Sequence, residues 1–207
     1  MRPTTRPTLV LPCNRAPSIC ESGHSLVATP SLVATPPWAP WQIHDVANLI
    51  ALPVAIALVV LALLHSQRWG RPLALYLVAY ITADMAWIIM QPEVVRAPRV
   101  LIFHHLATLV LLVHALAHAA HLKFVGWLSC VELNTFLLIL RRHVRQPPWA
   151  RVAIRAAFIS SWLIIRVIWF PLVAAHLWLP AHSWPSPVHR AVVAGTATSL
   201  ALLQLMW

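Results

Sequence analysis

The chain has 207 residues, of which 60% are hydrophobic and 10% charged, with a mean hydropathy of +0.75. Soluble domains run at about 45–50% apolar and roughly 25% charged, so this composition excludes an ordinary soluble enzyme, a disordered regulator and a coiled coil. Fifteen Lys and Arg against five Asp and Glu give a net charge of +10. The basic residues stand mostly between apolar runs, the pattern of loops facing lipid head groups and cytosol rather than of a nucleic-acid surface.

Residues 1–45 differ from the rest. Eight of the 18 prolines fall in residues 1–40, around an exact tandem repeat, Ser25-Leu-Val-Ala-Thr-Pro30 and Ser31-Leu-Val-Ala-Thr-Pro36. Proline at that density stops helices, and little apolar surface is left to bury, so a disordered tail is expected over 1–45. Its Arg, Ser and Thr content, with Glu21 as the one acid before residue 45, leaves an organellar targeting segment open. The continuous apolar stretch of a secretory signal is missing.

Six apolar segments follow, at about 46–64, 72–91, 100–121, 124–140, 152–175 and 189–207. Each approaches the roughly 20 residues that cross about 30 Å of hydrocarbon at 1.5 Å per residue. None shows the alternation of a barrel strand. The expected fold class is therefore all-α, a multi-pass transmembrane helical bundle of about six spans over 46–207. Arg96, Arg99, Arg141, Arg142, Arg145, Arg151 and Arg155 gather at one set of span ends; Arg68, Arg71, Lys123 and Arg190 mark the other. The positive-inside bias places the first set, and both termini, in the cytosol.

Cys13, Cys20 and Cys130 form no CxxC pair, so no zinc ribbon or attached haem is indicated, and Cys130 reads as a small hydrophobe. Lys123 is the single lysine and lies outside the apolar segments, which excludes a retinal-type Schiff base in the bundle. No P-loop, GxSxG or HExxH occurs. Paired Gly/Pro helix breaks and an inverted repeat, the marks of many transporters, are also missing.

Asp84, Glu132 and Arg166 stand inside apolar segments. A charge at mid-helix costs on the order of 2.5–3.5 kcal/mol on insertion scales, so such residues pair with one another or line a site. At helical rise Asp84 lies about 10 Å from the cytosolic end of its span, His104 and His105 about 6–8 Å, Glu132 about 13 Å and Arg166 about 20 Å. The first four thus share one layer on three spans, with Arg166 long enough to reach up to Glu132. A structural ion pair that only pins helix packing explains any one of them equally well. On the third span Thr108 lies one turn after His104 and within hydrogen-bonding reach of it. His114, His118 and His121 form a separate stripe nearer the other end. Such a stripe can present ligands to a metal, but no second cluster at that depth completes a site, so no metal is assigned.

Four patches together resemble the TLC-domain family, the multi-pass proteins that include the ceramide synthases and the translocating-chain-associating membrane proteins. They are Tyr80-Ile-Thr-Ala-Asp84, Phe103-His104-His105-Leu-Ala-Thr108, Glu132-Leu-Asn-Thr135 running to Arg141, and Ile165-Arg166-Val-Ile-Trp-Phe-Pro171. The resemblance implies a helical bundle around a lipid-accessible site, an endoplasmic-reticulum-type membrane and a role in lipid chemistry or homeostasis. One departure stands out: where ceramide synthases carry a further His-Asp-x-x-Asp-type acidic motif, this chain has Glu132 alone.

Two functions follow as expectations. In the first the protein binds or senses membrane lipid in the bundle, at a site lined by Asp84, His104, His105 and Glu132. In the second it is a sphingoid-base N-acyltransferase, moving an acyl group from acyl-CoA as co-substrate to a long-chain amine. There His104 or His105 acts as base, Asp84 orients the imidazole, and Glu132, Arg166 and Thr108 shape the substrate site. The expected partners are membrane lipids; self-association stays open.

Overall fold

The computed structural model describes residues 39–144, 146–179, 184 and 186–205. Residues 1–38 of the expected disordered tail, with the tandem repeat, lie outside these residues, whereas 40–45, expected in the tail, are helical. All regular structure among the described residues is helical.

Helix α1 runs Pro40–Leu64 and α2 runs Ser66–Met90. Each begins six residues before the corresponding apolar segment. Pro40 is ready for the first helical position, where a missing N–H leaves no bond unmade. The chain breaks between α1 and α2 at His65, whose backbone leaves the helical region (φ −142°, ψ 70°). A short turn at Pro92–Val94 leads to α3, Pro98–Ala117. After the turn Ala119–His121, the fourth span is built from α4, Leu122–Ser129, and α5, Val131–His143, joined at Cys130. The fifth joins α6, Pro148–Ser161, to α7, Phe170–Leu177, through a widened stretch, Trp162–Trp169. In that stretch the Phe170 N–H donates to the Ile165 carbonyl, five residues back. Pro171 has no N–H to continue the ordinary ladder. Helix α8 is Pro187–Leu205.

Among the described residues, five segments are long and apolar enough to cross a membrane: Pro40–Leu64, Ser66–Met90, Pro98–Ala117, Ala119–His143 and Pro148–Leu177. The sixth expected span, α8, is not among them. It is about 28 Å long at 1.5 Å per residue, but His189, Arg190, three hydroxyl residues and Gln204 dilute its apolar content. Those hydroxyls are satisfied inside the helix: Thr196, Thr198 and Ser199 each donate to the carbonyl four residues back. Helix α8 still packs along α3 and α7 as part of the bundle.

Two apolar clusters hold the helices together, and α3 serves both. One face of α3 packs Leu112 and Ala115 with Ala55 and Val59 of α1 and Leu73, Leu77 and Ile81 of α2. Its other face packs Ala107 and Leu111 with Phe170 and Leu177 of α7 and Ala194, Ala197 and Leu200 of α8. The outer surfaces carry exposed Ile50, Val60, Ile89, Val113, Ile164 and Leu202, as helices in lipid do. Helices α2 and α4 approach closely at Gly70, where an added Cβ would stand 2.9 Å from the Leu122 Cβ.

Candidate functional site

The polar layer is organised by Asp84, near the end of α2. Two imidazole N–H groups donate to its carboxylate: His44 Nε2 to Oδ1 at 2.8 Å and His105 Nε2 to Oδ2 at 2.8 Å. The Asn48 amide adds a longer donation to Oδ1 at 3.4 Å, and the Tyr80 hydroxyl fixes that amide by donating to Asn48 Oδ1 at 2.6 Å. His44 and Asn48 are one turn apart on α1, Tyr80 and Asp84 one turn apart on α2, and His105 comes from α3. His44, Asn48 and His105 are buried. Helical spacing therefore converges three elements on one carboxylate, and the hydrogen bonds offset the desolvation of a buried anion.

His105 has a second feature. Its Nδ1 is buried and has no hydrogen-bond partner. With Nε2–H held by Asp84, Nδ1 keeps its lone pair and is an acceptor. The His104 ring stands against that of His105, centroids 5.7 Å apart and edge to face.

The other expected site residues fall into distinct places. Glu132 lies within electrostatic reach of Arg166, His105 and Asp84, with no direct bond to any of them. The expected Arg166–Glu132 ion pair does not form. The guanidinium instead donates from Nη1 to Gln204 Oε1 and from Nη2 to Thr135 Oγ1, the latter at 3.3 Å. Neutral acceptors on α8 and α5 are nearer to it than the carboxylate. Thr108 does not reach the His104 ring: its hydroxyl donates to the His104 backbone carbonyl at 2.9 Å, an intrahelical bond. Asn134 donates to the Phe158 carbonyl and to Ser161 Oγ, tying α5 to α6.

Sequence reasoning placed His44 and Asp45 in the tail, yet both are buried in α1. They face different partners. While His44 meets Asp84, Asp45 accepts from Arg142 Nη1 at 3.3 Å and from His143 Nε2 at 3.2 Å at the end of α5. The available signal was the polar spacing His44, Asp45, Asn48 ahead of an apolar run, which is one face of a helix. Gln204 was missed as well; it is 2% exposed, and only its position on α8 brings it to Arg166.

At the opposite end of the bundle, His114 Nε2 and His121 Nδ1 share a hydrogen at 2.9 Å, and His189 of α8 packs within 6.0 Å of His114 between ring centroids. Among the described residues no group of three or more His, Cys, Asp or Glu is arranged to hold a metal ion.

A bundle of membrane-length helices, with an aspartate held between His44 and His105 inside it, defines a multi-pass membrane protein. The TLC domain family matches residues 64–207, and the chain belongs to that family. No curated protein and no solved structure matched it. Helix α1, which supplies His44, precedes the matched region except for Leu64.

Proposed function

We propose that this protein handles lipid inside the bilayer, binding the polar group of a membrane lipid at the Asp84–His105 pair. The observation that carries the reading is the His105 imidazole. One nitrogen is anchored on a partly buried carboxylate, and the other is buried without a partner. A buried acceptor left unmade costs about 1–3 kcal/mol, and a ligand hydroxyl or ammonium donating to Nδ1 removes that cost. The His104 ring stands against that of His105, Glu132 lies within electrostatic reach of it, and TLC-domain membership supports an endoplasmic-reticulum-type membrane. Lipid extraction and mass spectrometry of the purified protein tests it. Wild type is expected to retain a lipid with a hydrogen-bond donor in its head group, and His105→Ala to lose it. Equal retention by the two proteins would refute the reading.

A second reading is favoured by the orientation of the same pair. A carboxylate holding one imidazole nitrogen, with the other free to take a proton, is a base-plus-orienter arrangement. In acyl transfer the amine nitrogen of a long-chain base attacks the thioester carbonyl of acyl-CoA. The C–N bond forms, the C–S bond breaks, and the proton leaves the amine for His105 Nδ1 and passes to the departing thiolate. General base catalysis contributes about 10²–10⁴-fold, so amide formation from acyl-CoA and a sphingoid base should fall by that range in His105→Ala. Absence of amide product from wild type would leave the binding function alone.

A further inference from the structure

Between α3 and α8 runs an open groove of about 540 Å³ whose lining includes neither Asp84 nor His105. Its walls are Leu106, Val110 and Val113 on one side and Val188 and Val192 on the other, all of them exposed on the outer face of the bundle. The only polar residues lining it are His114 and His189, and both lie at one end. From Leu106 to His114 the α3 wall rises about 12 Å at 1.5 Å per residue. That approaches the depth of one leaflet, half of about 30 Å of hydrocarbon.

The polar end is built to donate. The His189 backbone N–H donates to Ser186 Oγ at 3.2 Å, and Ser186 Oγ and His189 Nδ1 share a hydrogen at 2.9 Å. With the hydroxyl donating to Nδ1, the ring hydrogen sits on Nε2, a donor on an exposed side chain. Arg190 follows on α8, and Lys123 stands over the Phe124 ring near His121. The charge of this end has one sign. The acidic residues among those described are Asp45, Asp84, Glu93 and Glu132, and they belong to the other end of the bundle or to its middle.

We infer that this groove seats one acyl chain of an anionic phospholipid, with the lipid phosphate accepting from His189 beside His114. The apolar walls take the chain over one leaflet's depth, and the imidazole end with its cationic neighbours takes the head. The assignment is independent of the Asp84–His105 reading.

Native mass spectrometry of the full chain in detergent, titrated separately with phosphatidylglycerol, phosphatidylcholine and inorganic phosphate, tests it. Wild type should retain one phosphatidylglycerol in preference to phosphatidylcholine, and inorganic phosphate should not displace it. His189→Ala should weaken phosphatidylglycerol at least about tenfold, the loss expected for one charge-assisted hydrogen bond. Val110→Trp with Val192→Trp, which fills the groove, should weaken both lipids. The loss caused by His189→Ala should persist in a His105→Ala background, so lipid held at Asp84 is read separately. Unchanged phosphatidylglycerol retention in His189→Ala or in the double tryptophan variant would overturn the assignment. So would displacement by inorganic phosphate, or a wild-type dimer that the tryptophans dissociate, since a second copy would then be the occupant.

Discussion

Asp45 of α1 and Arg142 of α5, 97 positions apart in the chain, are joined by hydrogen bonds from Nη1 at 3.3 and 3.4 Å. Asp45 is 3% exposed, whereas the Arg142 side chain is 51% exposed. The two ends of the pair are therefore unequal. Removing Arg142 together with His143 leaves a buried carboxylate with no donor, while removing Asp45 returns Arg142 to a half-solvated position. Arg142→Ala/His143→Ala should lower stability by about 1–3 kcal/mol, and by more than Asp45→Ala does. Thermal unfolding of the purified proteins in one detergent checks the order. Since His44 adjoins Asp45, loosening this clamp should also weaken lipid retention at His105.

The Asp84 carboxylate is the only acceptor that both His44 and His105 reach. Asp84→Ala should destabilise by about 2–4 kcal/mol, because two buried donors lose their acceptor together. Asp84→Asn keeps one carbonyl oxygen for one imidazole and should lose roughly half as much. Equal melting temperatures for the two variants would show that the imidazoles do not depend on the carboxylate.

Two glycines separate close approach from mere helix weakness. At Gly70 a new methyl meets the Leu122 Cβ at 2.9 Å and its carbonyl oxygen at 3.3 Å, both on α4. Gly70→Ala should therefore destabilise by about 1–3 kcal/mol, the usual penalty of overpacking. At Gly126 the nearest atom, the Ala62 Cβ, is 3.5 Å away, an ordinary contact. Gly126→Ala should be neutral or stabilising by up to about 1 kcal/mol, since it removes chain entropy from a helix. Opposite shifts in melting temperature are the expected result.

Arg166 sits in the widened turn between α6 and α7 and is held by Gln204 and Thr135, neither of them charged. Gln204→Leu removes one acceptor from a partly buried guanidinium and should cost about 1–3 kcal/mol. Arg166→Lys should not restore the site, because one ammonium cannot match a planar fork aimed at two helices. A calorimetric or fluorescence melt of both variants measures this.

The pattern of apolar runs was enough to read three of the five spans to within five residues at both ends. Length and composition report how far a helix can stay in hydrocarbon, and that property is local. The start of α1 was hidden because His44 and Asp45 are polar, and their burial depends on partners on α2, α3 and α5. That Asp84 and His105 share a layer was legible from depth, since both lie a few residues from the same membrane face; that they meet was not. Depth could not give rotation about the helix axis. It therefore misassigned Arg166 to Glu132, when the guanidinium turns toward Gln204. Thr108 failed for a simpler reason, as a hydroxyl on a helix finds the carbonyl four residues back before any neighbouring ring.

The central claim is that Asp84 holds His105 as the Nε2–H tautomer with Nδ1 left to accept from a lipid. Nitrogen-15 NMR of histidine-labelled protein, with the His105 signals assigned by their loss in His105→Ala, tests it most directly. The account predicts a protonated Nε2 and an unprotonated Nδ1 whose resonance moves when a lipid bearing an amine or hydroxyl head group is added. A proton on Nδ1 in the lipid-free protein, or a resonance that stays fixed through saturation with such lipids, would contradict it.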